Sequence, residues 1–114
     1  MTSEDIPEIN PLQAYEAISN GTPIVDVREA DEFDAGHIAD AISLPLSTIS
    51  ESYREMSLPE TLIINCRSGA RSARATEFLR SIGYNAYNLT GGVIAWTHAG
   101  LPIETSDGRP PVIA

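Results

Sequence analysis

A chain of 114 residues with 42% hydrophobic and 20% charged residues has the composition of one folded domain, and it is too short for a second core. Its formal charge of −9 sets it against the anionic surfaces of nucleic acids and membranes, so neither is expected as a partner. No apolar run reaches the roughly 18 residues of a membrane span, Met1–Asp5 is too acidic for a secretory leader, and one cysteine cannot form an internal disulfide, so a cytoplasmic location is expected.

Asn10-Pro11 followed by Gln13 predicts a helix start: an N-cap, proline at the first helical position and a capping-box glutamine. This helix should run to about Ser19 and stop at Asn20-Gly21. Ile24 to Val27 is a short β-branched strand. Asp31 to Asp34 reads as one helical turn ended by Gly36, and Ala41 to Leu44 as a second short strand closed by Pro45. A short helix capped by Ser47 is expected to Tyr53. Thr61 to Asn65 is nearly continuously apolar, as in a strand buried on both faces.

Cys66-Arg67-Ser68-Gly69-Ala70-Arg71 follows that strand at once. A helix then shows apolar residues at Ala75, Phe78, Leu79 and Ile82, and Gly83 ends it. Ala86 to Leu89 is another strand, and Gly91-Gly92 turns into a short helix containing Trp96 that stops at Gly100. Strands alternating with helices predict an α/β fold around a parallel sheet, with functional loops at the carboxyl ends of the strands. Residues 1–103 are read as the domain and residues 104–114 as an irregular, Pro-containing tail that straps the surface or is mobile.

The chemistry concentrates at Cys66. There is no lysine, and four of the seven arginines (Arg67, Arg71, Arg74 and Arg80) lie in the stretch that begins beside it. Arg74 and Arg80 read as a solvated helix face. Arg67 and Arg71 sit within the loop and suit a small anionic substrate. A helix about to begin leaves about four N–H groups without intrahelical partners, and its dipole adds roughly half a positive charge. The small residues Ser68, Gly69 and Ala70 let the loop curl so that these N–H groups face an anion. A thiol in that field is held as the thiolate and attacks without a histidine base. The bland alternative, a buried cysteine acting as a small hydrophobe, fits poorly with flanking arginines and glycine. One cysteine and two distant histidines do not make a metal site, and no cofactor is expected.

Taken in order, these segments resemble the single-domain rhodanese-like sulfurtransferases from about Ile9 to Pro102. The resemblance is carried by Val25-Asp26-Val27-Arg28 with Glu32-Phe33, Gly36-His37-Ile38, Ala41 to Pro45 and Cys66 to Ser72. Gly91-Gly92 with Ala95-Trp96, and Gly100-Leu101-Pro102, complete it. It implies a five-stranded parallel sheet flanked by helices on both faces, with an active-site loop from Cys66 to Arg71. It also implies that Cys66 takes the sulfane sulfur of a donor such as thiosulfate, becomes a persulfide, and passes the sulfur to a thiol, a carrier protein or another thiophile. Arg67, Ser68, Gly69, Ala70, Arg71 and Ser72 would then form the substrate cradle, with Arg71 closing it and Arg67 setting charge preference. Asp26 and Arg28 read as structural support that pairs with each other or with loop backbone. His37 is expected to pin a turn, His98 to be exposed, and Trp96 to anchor the last helix.

Two rivals follow from the same residues. Cysteine phosphatases need five residues between cysteine and arginine; here there are four, Arg67 to Ala70, and position 72 is Ser72. No useful activity on aryl phosphates is therefore expected. A sulfur-carrying or redox-sensing module that acts with a partner, and turns over little alone, fits the same loop.

Overall fold

The computed structural model describes residues 6–113, so the acidic Met1–Asp5 segment and the terminal Ala114 lie outside the described residues. In chain order the elements are β1 (Glu8–Ile9), α1 (Pro11–Ser19), β2 (Ile24–Asp26), α2 (Ala30–Ala35), β3 (His37–Ile38), β4 (Ile42–Ser43), α3 (Ile49–Ser52), β5 (Thr61–Asn65), α4 (Ala70–Ser81), β6 (Asn85–Leu89), α5 (Gly92–His98) and β7 (Ile103–Glu104). A five-stranded sheet runs β1-β6-β5-β2-β4, and every pairing in it is parallel. The middle strand, β5, is buried from Leu62 to Asn65, as its apolar run requires.

Because side chains alternate across a strand, the sheet carries two cores. Val25, Leu62, Ile64 and Cys66 face one layer with Ile49, Ala75 and Leu79 from α3 and α4. Ile24, Ile63 and Leu89 face the other with Ala14, Val93 and Trp96 from α1 and α5. Helices therefore cover both faces, as expected. The capping box of α1 forms as its sequence implies, with Asn10 Oδ1 accepting the Gln13 N–H at 2.9 Å and Gln13 Oε1 accepting the Asn10 N–H at 3.2 Å.

Several local expectations shift. The helix expected from Ser47 starts at Ile49 with Thr48 as its N-cap residue, and it tightens into a 3₁₀ turn over Tyr53–Met56. The Ser47 hydroxyl instead donates to Glu29 at 3.0 Å, a partner 18 residues away. Arg80 is not on a solvated face: its Nε donates to the Ala86 carbonyl and its guanidinium lies over the Tyr87 ring. Ile82 is 41% exposed, so it adds little to the core stripe. The two-residue strand β1 had no distinct sequence signal.

The C-terminal segment is tied down. β7 pairs antiparallel with β3, so the boundary expected between residues 103 and 104 falls within a strand. Further on, Val112 N–H donates to the Ala35 carbonyl at 2.8 Å and the Ser106 hydroxyl donates to Asp34 at 3.0 Å. Gly36 lies beneath this strap, where a Cβ would sit 2.7 Å from the Val112 carbonyl oxygen.

Candidate active site

The centre of the sheet ends at Asn65, and Cys66 occupies the first position beyond it, directly ahead of α4. Gly69 is the N-cap residue of α4, and its φ of +108° is left-handed backbone that favours glycine. Its side chain cannot cap the helix, so the first turn must find another acceptor. That acceptor is sulfur. Gly69 N–H donates to Cys66 Sγ at 3.1 Å, Ser72 N–H at 3.4 Å, and the Ser72 hydroxyl lies 3.2 Å away.

A second helix grips the loop from below. Val93 N–H donates to the Cys66 carbonyl at 2.9 Å and Ile94 N–H to the Arg67 carbonyl at 3.1 Å, both from the first turn of α5. The contact is tight enough that a Cβ on Gly92, at φ +61°, would sit 2.5 Å from the Cys66 carbonyl oxygen. The sequence therefore holds Cys66 between two helix starts, one donating to its sulfur and one to its carbonyl.

Cys66 is only 1% exposed and packs with Val25, Val27, Leu62 and Ile64. The sulfur lies beneath the loop, between an apolar floor and a polar roof. Arg67, Ser68 and Ala70 are exposed on the outer side of the loop. The Arg71 guanidinium forms a two-point pair with Glu32 of α2, at 2.7 and 2.9 Å. Arg71 beside it holds the Glu32 carboxyl down to about 2, and the Glu32 hydrogen bond in turn raises the Arg71 pKa.

Asp26 and Arg28 pair with each other at 2.8 Å, both fully buried. Asp26 Oδ1 also accepts the Arg28 N–H, and Arg28 Nη2 donates to the Gly36 carbonyl at 2.7 Å. This pair joins the end of β2 to the turn that the C-terminal strap covers. His37 pins that turn, with its Nδ1 2.7 Å from the Phe33 carbonyl and its ring stacked 3.7 Å from Phe33. His98 is exposed, and Trp96 is buried with its indole N–H donating to the Pro102 carbonyl at 2.8 Å.

Two residues enter the site without a role foreseen in the sequence. Glu32 stood there only as part of a motif. Asn88 did not stand out at all, although an amide inside the apolar run Ala86–Leu89 carries a signal, since a buried polar group needs partners. Its Oδ1 accepts the Ser72 hydroxyl at 2.6 Å and its Nδ2 donates to the Gly69 carbonyl at 3.1 Å.

The chain and its fold have counterparts among known proteins. The family model described as Rhodanese-like domain matches residues 10–99. The chain is 42% identical over 86 residues to a sulfurtransferase of Allochromatium vinosum, covering 75% of this chain and 80% of that one. It is 34% identical over 106 residues to the thiosulfate sulfurtransferase GlpE of Actinobacillus pleuropneumoniae serotype 7, covering 91% and 98%. A rhodanese-related protein of Thermoplasma volcanium, solved by crystallography, matches with a TM-score of 0.79 at 34% identity, over 85% of this chain and 96% of that one.

Proposed function

The chain belongs to the rhodanese-like domain family, and on that premise we propose that it is a sulfurtransferase working through a persulfide on Cys66. The observation that carries this reading is the convergence of the Gly69 and Ser72 N–H groups and the Ser72 hydroxyl on one sulfur. Such donors favour an anionic sulfur over a neutral one.

In the proposed cycle the Cys66 thiolate attacks the outer sulfur of thiosulfate. A Cys66–sulfur bond forms, the donor's S–S bond breaks, and its electron pair leaves with sulfite. Cys66 then carries a terminal anionic sulfur within the cradle of Arg67, Ser68, Gly69, Ala70, Arg71 and Ser72. An acceptor such as cyanide, a thiol or a carrier-protein sulfur attacks that outer atom and regenerates the thiolate. Cyanide leaves as thiocyanate. A small persulfide can serve as donor in place of thiosulfate, losing a thiol instead of sulfite. Asp26 and Arg28 support the end of β2, which lies beside the end of β5 that presents Cys66. The charge of −9 supports a protein without nucleic-acid or membrane-surface partners, and the single cysteine suits a reducing, cytoplasmic setting; among the described residues no helix is long and apolar enough to cross a membrane.

The burial of Cys66, 1% exposed, favours a second reading, in which the chain carries sulfur or senses redox state for a partner that opens the loop. One experiment separates the two. The protein is incubated with thiosulfate, its intact mass is measured, and thiocyanate is followed after cyanide is added. A gain of one sulfur with sustained thiocyanate release supports the enzyme, and a gain with negligible release supports the carrier. Cys66→Ser is expected to abolish both signals; a variant that keeps either, or wild type that shows neither, removes the proposal.

A further inference from the structure

Arg71 is the cationic end of the active-site loop, yet its charge does not stand alone. Glu32 meets both ends of its guanidinium, at 2.7 and 2.9 Å, with Arg71 36% and Glu32 21% exposed. Glu32 is itself pinned, because Oε1 also accepts the Glu29 N–H at 3.1 Å and closes the capping box of α2. Arg71 immediately precedes Ser72, which touches the Cys66 sulfur through both its N–H and its hydroxyl. The cation next to the reacting atom is therefore paired, by a carboxylate brought from 39 residues away.

We propose that Glu32 sets the charge preference for the sulfur donor, cancelling Arg71 so that the loop discriminates against dianionic donors relative to monoanionic ones. The inference rests on the sulfurtransferase reading and adds a specificity-determining residue to it. The reason is Coulombic: the interaction with Arg71 scales with the donor's charge, so cancelling that cation costs a dianion twice what it costs a monoanion. The carboxyl stays ionised over the working range, since Arg71 beside it holds its pKa near 2. Glu32 needs no contact with the donor to act in this way.

Thiosulfate and methanethiosulfonate make the test, because they differ in charge by one unit while presenting the same kind of S–S bond. The thiolate takes the outer sulfur from each, and the electron pair leaves with sulfite or with methanesulfinate. Glu32→Gln keeps the side-chain shape and an oxygen for the Glu29 N–H while removing the charge. It is expected to raise kcat/KM for thiosulfate by about three- to tenfold, and that for methanethiosulfonate by about the square root of that factor. The shift in the ratio should shrink in high salt. Arg71→Gln should move the ratio the other way, and it decides the matter if Glu32→Gln does not fold. Equal factors on both donors, or an unmoved ratio, would show a merely structural pair and overturn the proposal. Failure of the parent reading looks different: wild type then gains no sulfur from either donor.

Discussion

The Ser72 hydroxyl donates to the Asn88 carboxamide at 2.6 Å while lying 3.2 Å from the Cys66 sulfur. A hydroxyl has one proton, so the two acceptors compete for it. Asn88 also holds the Gly69 carbonyl through Nδ2, and thus ties together both residues whose N–H groups reach the sulfur. When Cys66 is a thiolate, the Ser72 proton is better placed toward sulfur. In the proposed cycle, once Cys66 carries the transferred sulfur and the charge has moved outward, the proton would return to Asn88.

Removing that hydroxyl should slow turnover without unfolding the chain. Ser72→Ala is expected to lower kcat by roughly 10- to 100-fold, the range of one hydrogen bond to a charged group. Asn88→Asp should do at least as much harm, because a carboxylate competes more strongly for the Ser72 proton and adds negative charge beside the sulfur. Thiocyanate release, compared with circular dichroism of each variant, checks both; full activity in Asn88→Asp would refute the assignment.

Breaking the buried pair Asp26–Arg28 should cost stability. Asp26→Ala leaves the fully buried Arg28 guanidinium without its counter-charge and is expected to cost about 3–5 kcal/mol in urea unfolding. Replacing both residues together, Asp26→Leu with Arg28→Met, should cost less than Asp26→Ala alone. A double variant that is the less stable of the two would contradict this.

Glu32 makes stability depend on acid. Its carboxyl is lowered from 4.5 to about 2, first by the Arg71 hydrogen bond. A depressed folded-state pKa gives stability that is fully present above the unfolded value and lost as pH falls through the folded one. The loss therefore spans roughly pH 4.5 to 2. Because Arg71 is partly exposed and screened, the contribution at pH 7 is set at about 1 kcal/mol. The stability gap between wild type and Glu32→Gln should close across that window; a gap independent of pH would speak against the pair.

Two glycines should tolerate no side chain, with different consequences. Gly92→Ala presses a Cβ onto the Cys66 and Arg67 carbonyls, at 2.5 Å each, and should displace the loop and abolish sulfur uptake. Gly36→Ala meets the Val112 backbone at 2.7 Å. Lifting that strap is expected to cost about 1–3 kcal/mol while sulfur uptake persists. Thermal unfolding and intact mass after thiosulfate treatment distinguish the two; unaltered uptake in Gly92→Ala would count against the tight-contact account.

Local chemistry wrote much of this molecule into its sequence. The capping box at Asn10 and Gln13, the apolar run that becomes β5, and the position of Cys66 between a strand end and a helix start are each set by a few neighbouring residues. The resemblance of the ordered segments to a known family supplied the sheet and its two helical layers. What the chain alone did not disclose depends on residues far apart along it. Arg71 finds Glu32 across 39 positions, Ser47 finds Glu29 across 18, and Ser72 finds Asn88 across 16. Periodicity and capping act over a turn or two of backbone, whereas the partner of a charge or a hydroxyl is decided by which elements the sheet order brings side by side. The place of Cys66, the proposed nucleophile, was therefore visible in the residues around it; its burial, and the paired charge at the end of its loop, came only with the packing of α2, β6 and α4.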